Sequence, residues 1–214
     1  MSTKSKSKDR AKLAAAPTRL DIGCGPNKKL HGPGEKPWFG IDSIAFPGVD
    51  LVFDITSGKW PFEDNSVDEF HSSHLIEHLT WPQRVLFFNE LYRILKPGGK
   101  GQLILPHWAS MRYYGDPTHQ SPMSEFAFYY LSRVWRLGGV PAGAPPGTAP
   151  QGANAPHADI TFNKTGTGYD CNFEVMWGHS LHPLLQTRNQ EYQQHALTFW
   201  KDAAQDLIAN LTKA

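Results

Sequence analysis

The sequence predicts a single α/β domain built around a mostly parallel sheet, and three observations support this prediction. The 214 residues are 40% hydrophobic, which is enough to bury one core of ordinary size. Short apolar runs alternate with glycine or proline turns through the first half of the chain, and an amphipathic segment fills one of the intervals. Strands that alternate with helices are typical of parallel sheets.

Five strands and one long helix are expected in the first half of the chain. The strands lie near residues 18–22, 38–42, 49–54, 67–72 and 101–105. The helix is expected from Pro82 to Leu95, because proline favours a first turn and Pro97-Gly98-Gly99 ends the helix. Residues 28–36 hold prolines and glycines in their second half, so the first crossover helix is expected to be short or poorly formed.

The second half of the chain is less regular. Aromatic side chains crowd residues 106–136, and glycine, proline and alanine dominate residues 137–158, which predicts a flexible loop or lid. Two strands are expected at Asp159–Asn163 and Tyr169–Trp177. The tail from Asn189 to Leu211 is expected to be an amphipathic helix, because its apolar residues recur at intervals of three and four: Ala196, Phe199, Trp200, Ala203, Leu207 and Leu211.

The stretch Arg-Leu-Asp-Ile-Gly-Cys-Gly at residues 19–25 indicates a buried strand that runs into a glycine turn. Glycine lets the backbone approach a ligand closely, since no Cβ intervenes. Seventeen residues after Gly25, a second apolar run ends in Asp42, an acid placed to accept hydrogen bonds from a ribose diol. The pattern predicts a pocket for a nucleoside-bearing cofactor. A dinucleotide fingerprint would require a third glycine where the chain has Lys28.

Further motifs follow in order along residues 19–106. They are Asp21-x-Gly23-x-Gly25, then Trp60–Phe70 (WPFEDNSVDEF), Ser72–Leu79 (SSHLIEHL) and Glu90–Gly99 (ELYRILKPGG). Together they resemble the type 11 branch of the class I S-adenosylmethionine-dependent methyltransferases. The resemblance implies a Rossmann-like, seven-stranded, mostly parallel sheet with helices on both faces and an antiparallel closing strand. It also implies S-adenosylmethionine as the cofactor and methyl transfer by direct in-line displacement as the reaction.

The resemblance implies a role for each cofactor-side residue. The turn would hold the methionine part, Asp42 the ribose hydroxyls, and Asp54 the adenine amino group. An aspartate at a strand end is also a common turn former or helix cap, so Asp54 keeps both interpretations. The full set of expected cofactor contacts is Asp21, Gly23, Cys24, Gly25, Asp42, Ser43, Asp54, Ile55 and Ser72.

The acceptor side is expected in residues 107–158. Methyl transfer depends mainly on positioning, and a general base is needed only if the acceptor arrives protonated. The candidates for that base are His74, His107 and His119. Histidine beside aromatic residues is also often a hydrogen-bonded pocket wall. The expected substrate contacts are Trp108, Tyr113 and Asp116.

Two absences narrow the acceptor. Enzymes that methylate exocyclic amines of nucleic acids carry an Asp/Asn-Pro-Pro-aromatic motif after the fourth strand, and cytosine C5 enzymes carry a Pro-Cys nucleophile there. This chain has His71-Ser72-Ser73-His74 at that position. A small-molecule or nucleotide-type acceptor is therefore expected.

The predicted organisation is a basic tail at residues 1–17 and one domain at 18–214. The domain divides into a cofactor half (18–106), a substrate and lid region (107–158), and closing strands with a C-terminal helix (159–214). Residues 1–12 carry five basic side chains against one acid, so the tail either solubilises the chain or makes weak nucleic-acid contact. Only two cysteines are present and no apolar run is long enough for a membrane span, so we expect a cytoplasmic protein that binds no membrane.

Two other functions stay open at this stage. The residues His74-Leu75-Ile76-Glu77-His78 satisfy a His-x-x-Glu-His zinc motif, which requires both histidines on one helix face. No third ligand is identifiable by spacing, so no metal is expected. The second alternative is a binding module with the methyltransferase fold that kept the cofactor pocket and lost catalysis.

Overall fold

A computed structural model describes residues 17–137, 139–140 and 168–214. The basic tail up to residue 16, the expected lid from residue 141 to 158 and the expected strand at 159–163 lie outside the described residues.

The described residues form a seven-stranded mixed sheet in the order β3-β2-β1-β4-β5-β7-β6. The strands are β1 Arg19–Ile22, β2 Phe39–Asp42, β3 Leu51–Val52, β4 Val67–Ser73, β5 Leu95–Pro106, β6 Phe173–Leu181 and β7 Ala204–Lys213. Pairing is parallel from β3 to β5, and β7 runs antiparallel to both β5 and β6. The predicted mostly parallel, seven-stranded sheet with an antiparallel strand is confirmed.

Five α-helices are present in the described ranges: α1 Trp81–Ile94, α2 Met111–Gly115, α3 Arg133–Arg136, α4 Pro183–Gln186 and α5 Gln190–Phe199. Two 3₁₀ turns, Ile76–His78 and Glu125–Leu131, precede α1 and α3. The side chain of Gln83 accepts a hydrogen bond from the Thr80 N–H at the start of α1, as in a capping box. The helix predicted from Pro82 to Leu95 is confirmed within one residue. None of the described helices is long and apolar enough to cross a membrane.

No helix forms between β1 and β2, where every residue is described. Ion pairs hold this crossover loop instead: Lys28 Nζ lies 2.7 Å from Asp50 Oδ2, and Arg19 Nη1 lies 2.9 Å from Glu35 Oε2. The expectation of a poorly formed first crossover helix is confirmed. The carboxyl end of β1 is therefore followed by a loop and not by a helix.

The predicted C-terminal helix from Asn189 to Leu211 is wrong in its second half. Helix α5 ends at Phe199, Asp202 takes a left-handed backbone conformation with φ of 61°, and the chain then forms β7. The assignment of the closing antiparallel strand to Tyr169–Trp177 was also incomplete, because β6 starts at Phe173 and β7 lies between it and β5. Pairing with β5 on one side and β6 on the other satisfies the backbone groups of β7 and outweighs helix propensity.

The strand order reverses between β1 and β4, which pair with each other at the centre of the sheet. Ligands of open α/β sheets bind at such a switch point, in the crevice outside the carboxyl ends of the strands. The core below this crevice is apolar, with Leu20, Ile22, Ile41 and Phe70 almost fully buried. The carboxyl ends of β1, β2 and β4 therefore define where a site is expected.

Candidate functional site

The glycine turn after β1 is built by left-handed backbone conformations. Gly23 has a φ of 69° and Gly25 a φ of 52°, both in the region that favours glycine. The N–H groups of Gly23 and Cys24 both donate to the carbonyl of Ile41 on β2, at 2.8 and 3.1 Å. A Cβ built on Gly25 would meet nothing within 4 Å. The turn is thus anchored on one side and open at Gly25.

Asp42, at the end of β2, is hydrogen-bonded to this turn. Its Oδ2 accepts from the Gly25 N–H and its Oδ1 from the Ile44 N–H, each at 2.9 Å. The side chain is partly buried. A carboxylate oxygen has a second lone pair, so both oxygens can still accept hydrogen bonds from a ligand.

Asp21 has a different environment from Asp42. It is buried, its Oδ2 accepts from the Lys29 N–H at 2.6 Å, and its Oδ1 lies 2.8 Å from His71 Nδ1 on β4. The side chain therefore ties the crossover loop to the neighbouring strand. Sequence analysis missed His71, although the parallel register places it directly beside Asp21.

The remaining predicted cofactor residues lie at the ends of their strands. Ser43 and Asp54 are exposed, Ile55 is buried, and Cys24 is buried with its thiol pKa raised to about 11 by burial and by the charges of Asp21 and Asp42. Asp54 Oδ1 accepts from the hydroxyl and the N–H of Thr56 at 2.7 and 2.8 Å, and these bonds lower the pKa of Asp54. Its other carboxylate oxygen remains available.

These groups fit the cofactor that the resemblance implied, S-adenosylmethionine. Gly25 leaves open space where a side chain would stand, and Asp42 offers acceptors for a ribose diol. Ser72, at the end of β4, is 1% exposed, and its hydroxyl has no hydrogen-bond partner among the described residues. A buried hydroxyl without a partner is uncommon in folded proteins. The Asp42 carboxylate, the Ser72 hydroxyl and the open turn at Gly25 are thus compatible with a ligand that contains a nucleoside and an amino-acid group.

On the acceptor side, His74 follows β4 directly and has a φ of 54°, an uncommon conformation for a residue other than glycine. Its ring is half exposed. Nδ1 lies 2.9 Å from the Ser73 hydroxyl, and Nε2 lies 3.6 Å from Oδ1 of the buried Asp206 on β7. Arg112 also pairs with Asp206, at 2.9 Å. Of the three predicted bases, His74 is the most accessible.

His107, at the end of β5, lies in a cluster that sequence analysis missed. Its Nε2 is 3.2 Å from Glu125 Oε1, and His179 Nε2 is 2.6 Å from the same oxygen. Burial alone would raise the pKa of Glu125, but the hydrogen bonds from both histidines bring it well below its usual range. Trp108 beside His107 is about half exposed. No sequence spacing connects residues 107, 125 and 179.

His119 lies against Tyr113 and Asp116. Its Nδ1 donates to the Tyr113 carbonyl at 2.7 Å, and its Nε2 lies 3.8 Å from Asp116 Oδ2. The Tyr113 ring is buried and stands 5.1 Å from the His119 ring, centroid to centroid. The structure therefore brings His119, Tyr113 and Asp116 together. They form a group distinct from the cluster of His107, Glu125 and His179.

Glu77, which the sequence placed only in the alternative zinc motif, lies close to His119. It is 1% exposed, and both carboxylate oxygens lack hydrogen-bond partners among the described residues. Burial raises the pKa of Glu77 to about 7, against the lowering effects of its own N–H, His119 and Arg84. Oε1 lies 4.0 Å from His119 Nε2.

The His-x-x-Glu-His zinc motif is not realised in the form that the sequence suggested. The segment is a left-handed residue, His74, followed by a 3₁₀ turn, rather than an α-helix with both histidines on one face. His74 Nε2 lies near Asp206, whereas His78 Nδ1 lies 3.0 Å from the Thr118 hydroxyl. That pair of histidines therefore does not form the expected motif.

Comparison with known proteins supports a methyltransferase assignment. Residues 43–102 match the family described as "Methyltransferase domain". No curated protein matches the chain. A S-adenosylmethionine-dependent methyltransferase structure from Archaeoglobus fulgidus is 15% identical, with 98% of this chain and 92% of that chain covered at a TM-score of 0.57. The methyltransferase domain of bacterial CtHen1-CN is 12% identical, with 97% and 96% covered at a TM-score of 0.50.

At these identities the two structures establish the fold, and the matched segment covers the stretch from β2 to β5 that contains β4 and α1. The segment includes the motifs at residues 60–70, 72–79 and 90–99, whereas the glycine turn at residues 21–25 precedes it. The matched segment and the shared fold agree with the resemblance of the sequence to the class I S-adenosylmethionine-dependent methyltransferases.

Proposed function

We propose that the chain holds S-adenosylmethionine between the glycine turn and Asp42 and transfers its methyl group to a small-molecule or nucleotide-type acceptor. The observation that carries the proposal is the hydrogen bond from the Gly25 N–H to Asp42 Oδ2. It places an open left-handed turn and a carboxylate with free lone pairs at the carboxyl ends of β1 and β2, beside the switch point.

When bound, S-adenosylmethionine supplies an electrophilic methyl group on a sulfonium that is itself a good leaving group. The residues of the chain need only hold the acceptor in line with that group and exclude competing orientations. Asp42 would accept from the ribose hydroxyls, Ser72 would offer its unpartnered hydroxyl at the end of β4, and Asp54 would offer its second carboxylate oxygen to the adenine amino group. Asp21 acts indirectly, by fixing the turn through Lys29 and His71.

For an acceptor that arrives protonated, we assign the general base to His74. It directly follows β4, its ring is half exposed, and the carboxylate of Asp206 stands 3.6 Å from Nε2, where it would stabilise the imidazolium formed by proton transfer. The rings of His107 and His119 are nearly buried, and each already contacts a carboxylate. We assign those two histidines to the wall of the acceptor pocket.

Trp108 is the best placed of the predicted substrate contacts. Its side chain is about half exposed beside the end of β5, whereas the ring of Tyr113 is buried against His119. An exposed indole provides a flat apolar face, which favours a planar or partly apolar acceptor. Asp116 is exposed, but one of its oxygens is already bonded to Thr118.

The test is calorimetric titration of the full chain with S-adenosylmethionine and, separately, with NAD. Micromolar binding of S-adenosylmethionine without NAD binding supports the cofactor assignment, and binding of neither contradicts it. A screen of radiolabelled methyl transfer to nucleotides and small phenols, amines and thiols then tests the acceptor. Cofactor binding without transfer to any acceptor would favour the alternative, a binding module that kept the fold.

Two accompanying expectations remain proposals. A contact between the basic tail and nucleic acid would appear as weak binding whose affinity falls steeply with salt. Cytoplasmic residence is supported by the cysteines, since Cys24 and Cys171 are both free and buried.

A further inference from the structure

We propose that Glu77, His78 and His119 form a binding site for a divalent transition-metal ion, with zinc as the best-suited ion. One ligand atom from each residue lies within 4.8 Å of the other two. Glu77 and His78 come from the 3₁₀ turn after β4, and His119 comes from the segment after α2. The proposal does not depend on the acceptor or on the cofactor assignment.

The carboxylate of Glu77 is the first reason. Both of its oxygens are buried without a hydrogen-bond partner among the described residues. The neighbouring cation, Arg84, does not pair with it, because the guanidinium donates to the backbone carbonyls of Ile76 and Ser121 instead. An unpaired carboxylate in a protein interior is strongly destabilising, and a bound ion is one of the few explanations for it. A bound cation would satisfy both oxygens and the charge.

The hydrogen bonds of the two histidines are the second reason. His119 Nδ1 faces the carbonyl of Tyr113, so Nδ1 must carry the proton and Nε2 must carry a lone pair. The Thr118 hydroxyl donates to Asp116 Oδ1 at 2.6 Å, so it accepts from His78 Nδ1 at 3.0 Å. His78 is therefore also protonated on Nδ1. Metal-binding histidines typically donate one ring N–H to a carbonyl or oxygen partner and offer the other nitrogen to the ion.

The distances suit a small ion after a modest movement. Two ligands at 2.0–2.2 Å from a tetrahedral ion lie about 3.4 Å apart. Glu77 Oε1 and His119 Nε2 are 4.0 Å apart, so this pair needs to approach by less than an ångström, and the pairs with His78, within 4.8 Å, by at most about 1.4 Å. Asp116 Oδ2, 3.8 Å from His119 Nε2, is within reach as a fourth ligand. Two imidazoles and a carboxylate favour zinc over magnesium or calcium, which prefer oxygen ligands.

The cluster of His107, Glu125 and His179 is a useful contrast. Its ligand atoms also lie within 4.8 Å of one another, but the Glu125 carboxylate already accepts hydrogen bonds from both imidazoles. His107 Nδ1 accepts from the Ala109 N–H at 3.3 Å, so Nε2 carries the proton and has no lone pair for an ion. This second cluster is satisfied without a metal, and it provides a matched control.

The test measures zinc in the full chain, purified without a histidine tag. Metal content is determined by mass spectrometry, and the affinity of the chelator-treated protein by competition with a chromophoric zinc chelator. We expect one zinc per chain, and at least roughly tenfold weaker binding in Glu77→Gln and in His119→Gln. Glu125→Gln is expected to bind zinc as the unaltered chain does.

Substitution of cobalt for zinc gives a second readout. The unaltered chain is expected to show visible absorption from cobalt bound by two imidazoles. This absorption is expected to be lost in His119→Gln. If Glu77→Gln does not fold, as judged by circular dichroism, His78→Gln replaces it, because His78 is only partly buried. No saturable zinc binding by the unaltered chain would overturn the proposal. Loss of zinc in Glu125→Gln with retention in the other variants would also overturn it, by placing the ion at the second cluster.

Discussion

The N–H of Gly25 donates a hydrogen bond of 2.9 Å to the carboxylate of Asp42, across seventeen residues of sequence. The bond joins the turn after β1 to the end of β2, and the same carboxylate also accepts from Ile44. Asp42 therefore fixes the turn, and in the proposed site it also presents acceptors to the cofactor. A variant must separate these two functions before a loss of binding can be attributed to a missing ligand contact.

Asp42→Ala is expected to weaken S-adenosylmethionine binding by about 1–3 kcal/mol, because it removes a charged hydrogen-bond acceptor. This corresponds to a roughly 5- to 150-fold higher Kd in calorimetric titration. Asp42→Asn keeps one acceptor for the Gly25 N–H, so its Kd is expected to lie between those of the unaltered chain and the alanine variant. If the alanine variant binds with unchanged affinity, Asp42 does not contact the ribose.

Gly25→Ala tests the open side of the turn. A left-handed alanine costs about 1–2 kcal/mol of stability. Gly34→Ala is the matched control, since Gly34 has a φ of 80° and likewise nothing within 4 Å of a built Cβ. Both variants are expected to lose similar stability in urea unfolding, but only Gly25→Ala is expected to lose at least tenfold in cofactor affinity. Equal affinities in the two variants would mean that the cofactor does not approach Gly25.

The C-terminal region shows why part of the fold could not be predicted from the sequence. Leu207 and Leu211 are four residues apart, and residues at that spacing share a face both in a helix and in a strand. Ala209 between them is also buried, which agrees only with the two-residue period of a strand. An alanine contributes little to a hydrophobic pattern, so the spacing of the apolar residues in the sequence did not distinguish a helix from a strand. Pairing with β5 and β6, which decided the outcome, is not encoded locally.

The cofactor side and the acceptor side of the candidate site also differ in how far they could be predicted from the sequence. The glycine turn and Asp42 were predictable because each follows its own strand, and parallel strands bring their carboxyl ends to one edge. On the acceptor side, the groups that meet come from distant segments of the chain. Glu125 contacts both His107 and His179, and Glu77 lies near His119. No local pattern marks these pairs. Pairing of both β5 and β6 with β7 brings His179 near His107, and Glu125 and His119 lie in segments outside the sheet.

His74→Gln is expected to lower the rate of methyl transfer by roughly 100-fold or more, since it removes the assigned general base. Cofactor affinity is expected to stay unchanged. The rate is measured once an acceptor is identified, at saturating cofactor and over a range of pH. His195→Gln, an exposed histidine on α5, controls for histidine loss in general. A rate equal to that of the control would exclude His74 as the base.

His119→Ala is expected to impair methyl transfer and to leave cofactor binding intact. The reason is its position: the ring packs against Tyr113 and Glu77, whereas no described contact joins it to the glycine turn or Asp42. Parallel calorimetry and transfer assays check this. An equal loss of both would instead make His119 a residue that supports the fold.

Glu125→Gln is expected to lower the free energy of unfolding at pH 7 by about 1–3 kcal/mol, because the carboxylate accepts two hydrogen bonds from His107 and His179. Partial exposure of Glu125 and His179 favours the lower end of that range.

The pKa of Glu125 is depressed in the folded chain, so its contribution is present above its ordinary value of 4.5 and is lost as the pH falls through the folded-state pKa. The difference between the variant and the unaltered chain should therefore be largest near pH 7 and shrink progressively below pH 4.5, as measured by urea unfolding at both ends of this range. Glu174→Gln, an exposed glutamate on β6, should show little difference at either pH. A difference in Glu125→Gln that does not change with pH would point to altered packing rather than to the charge of the carboxylate.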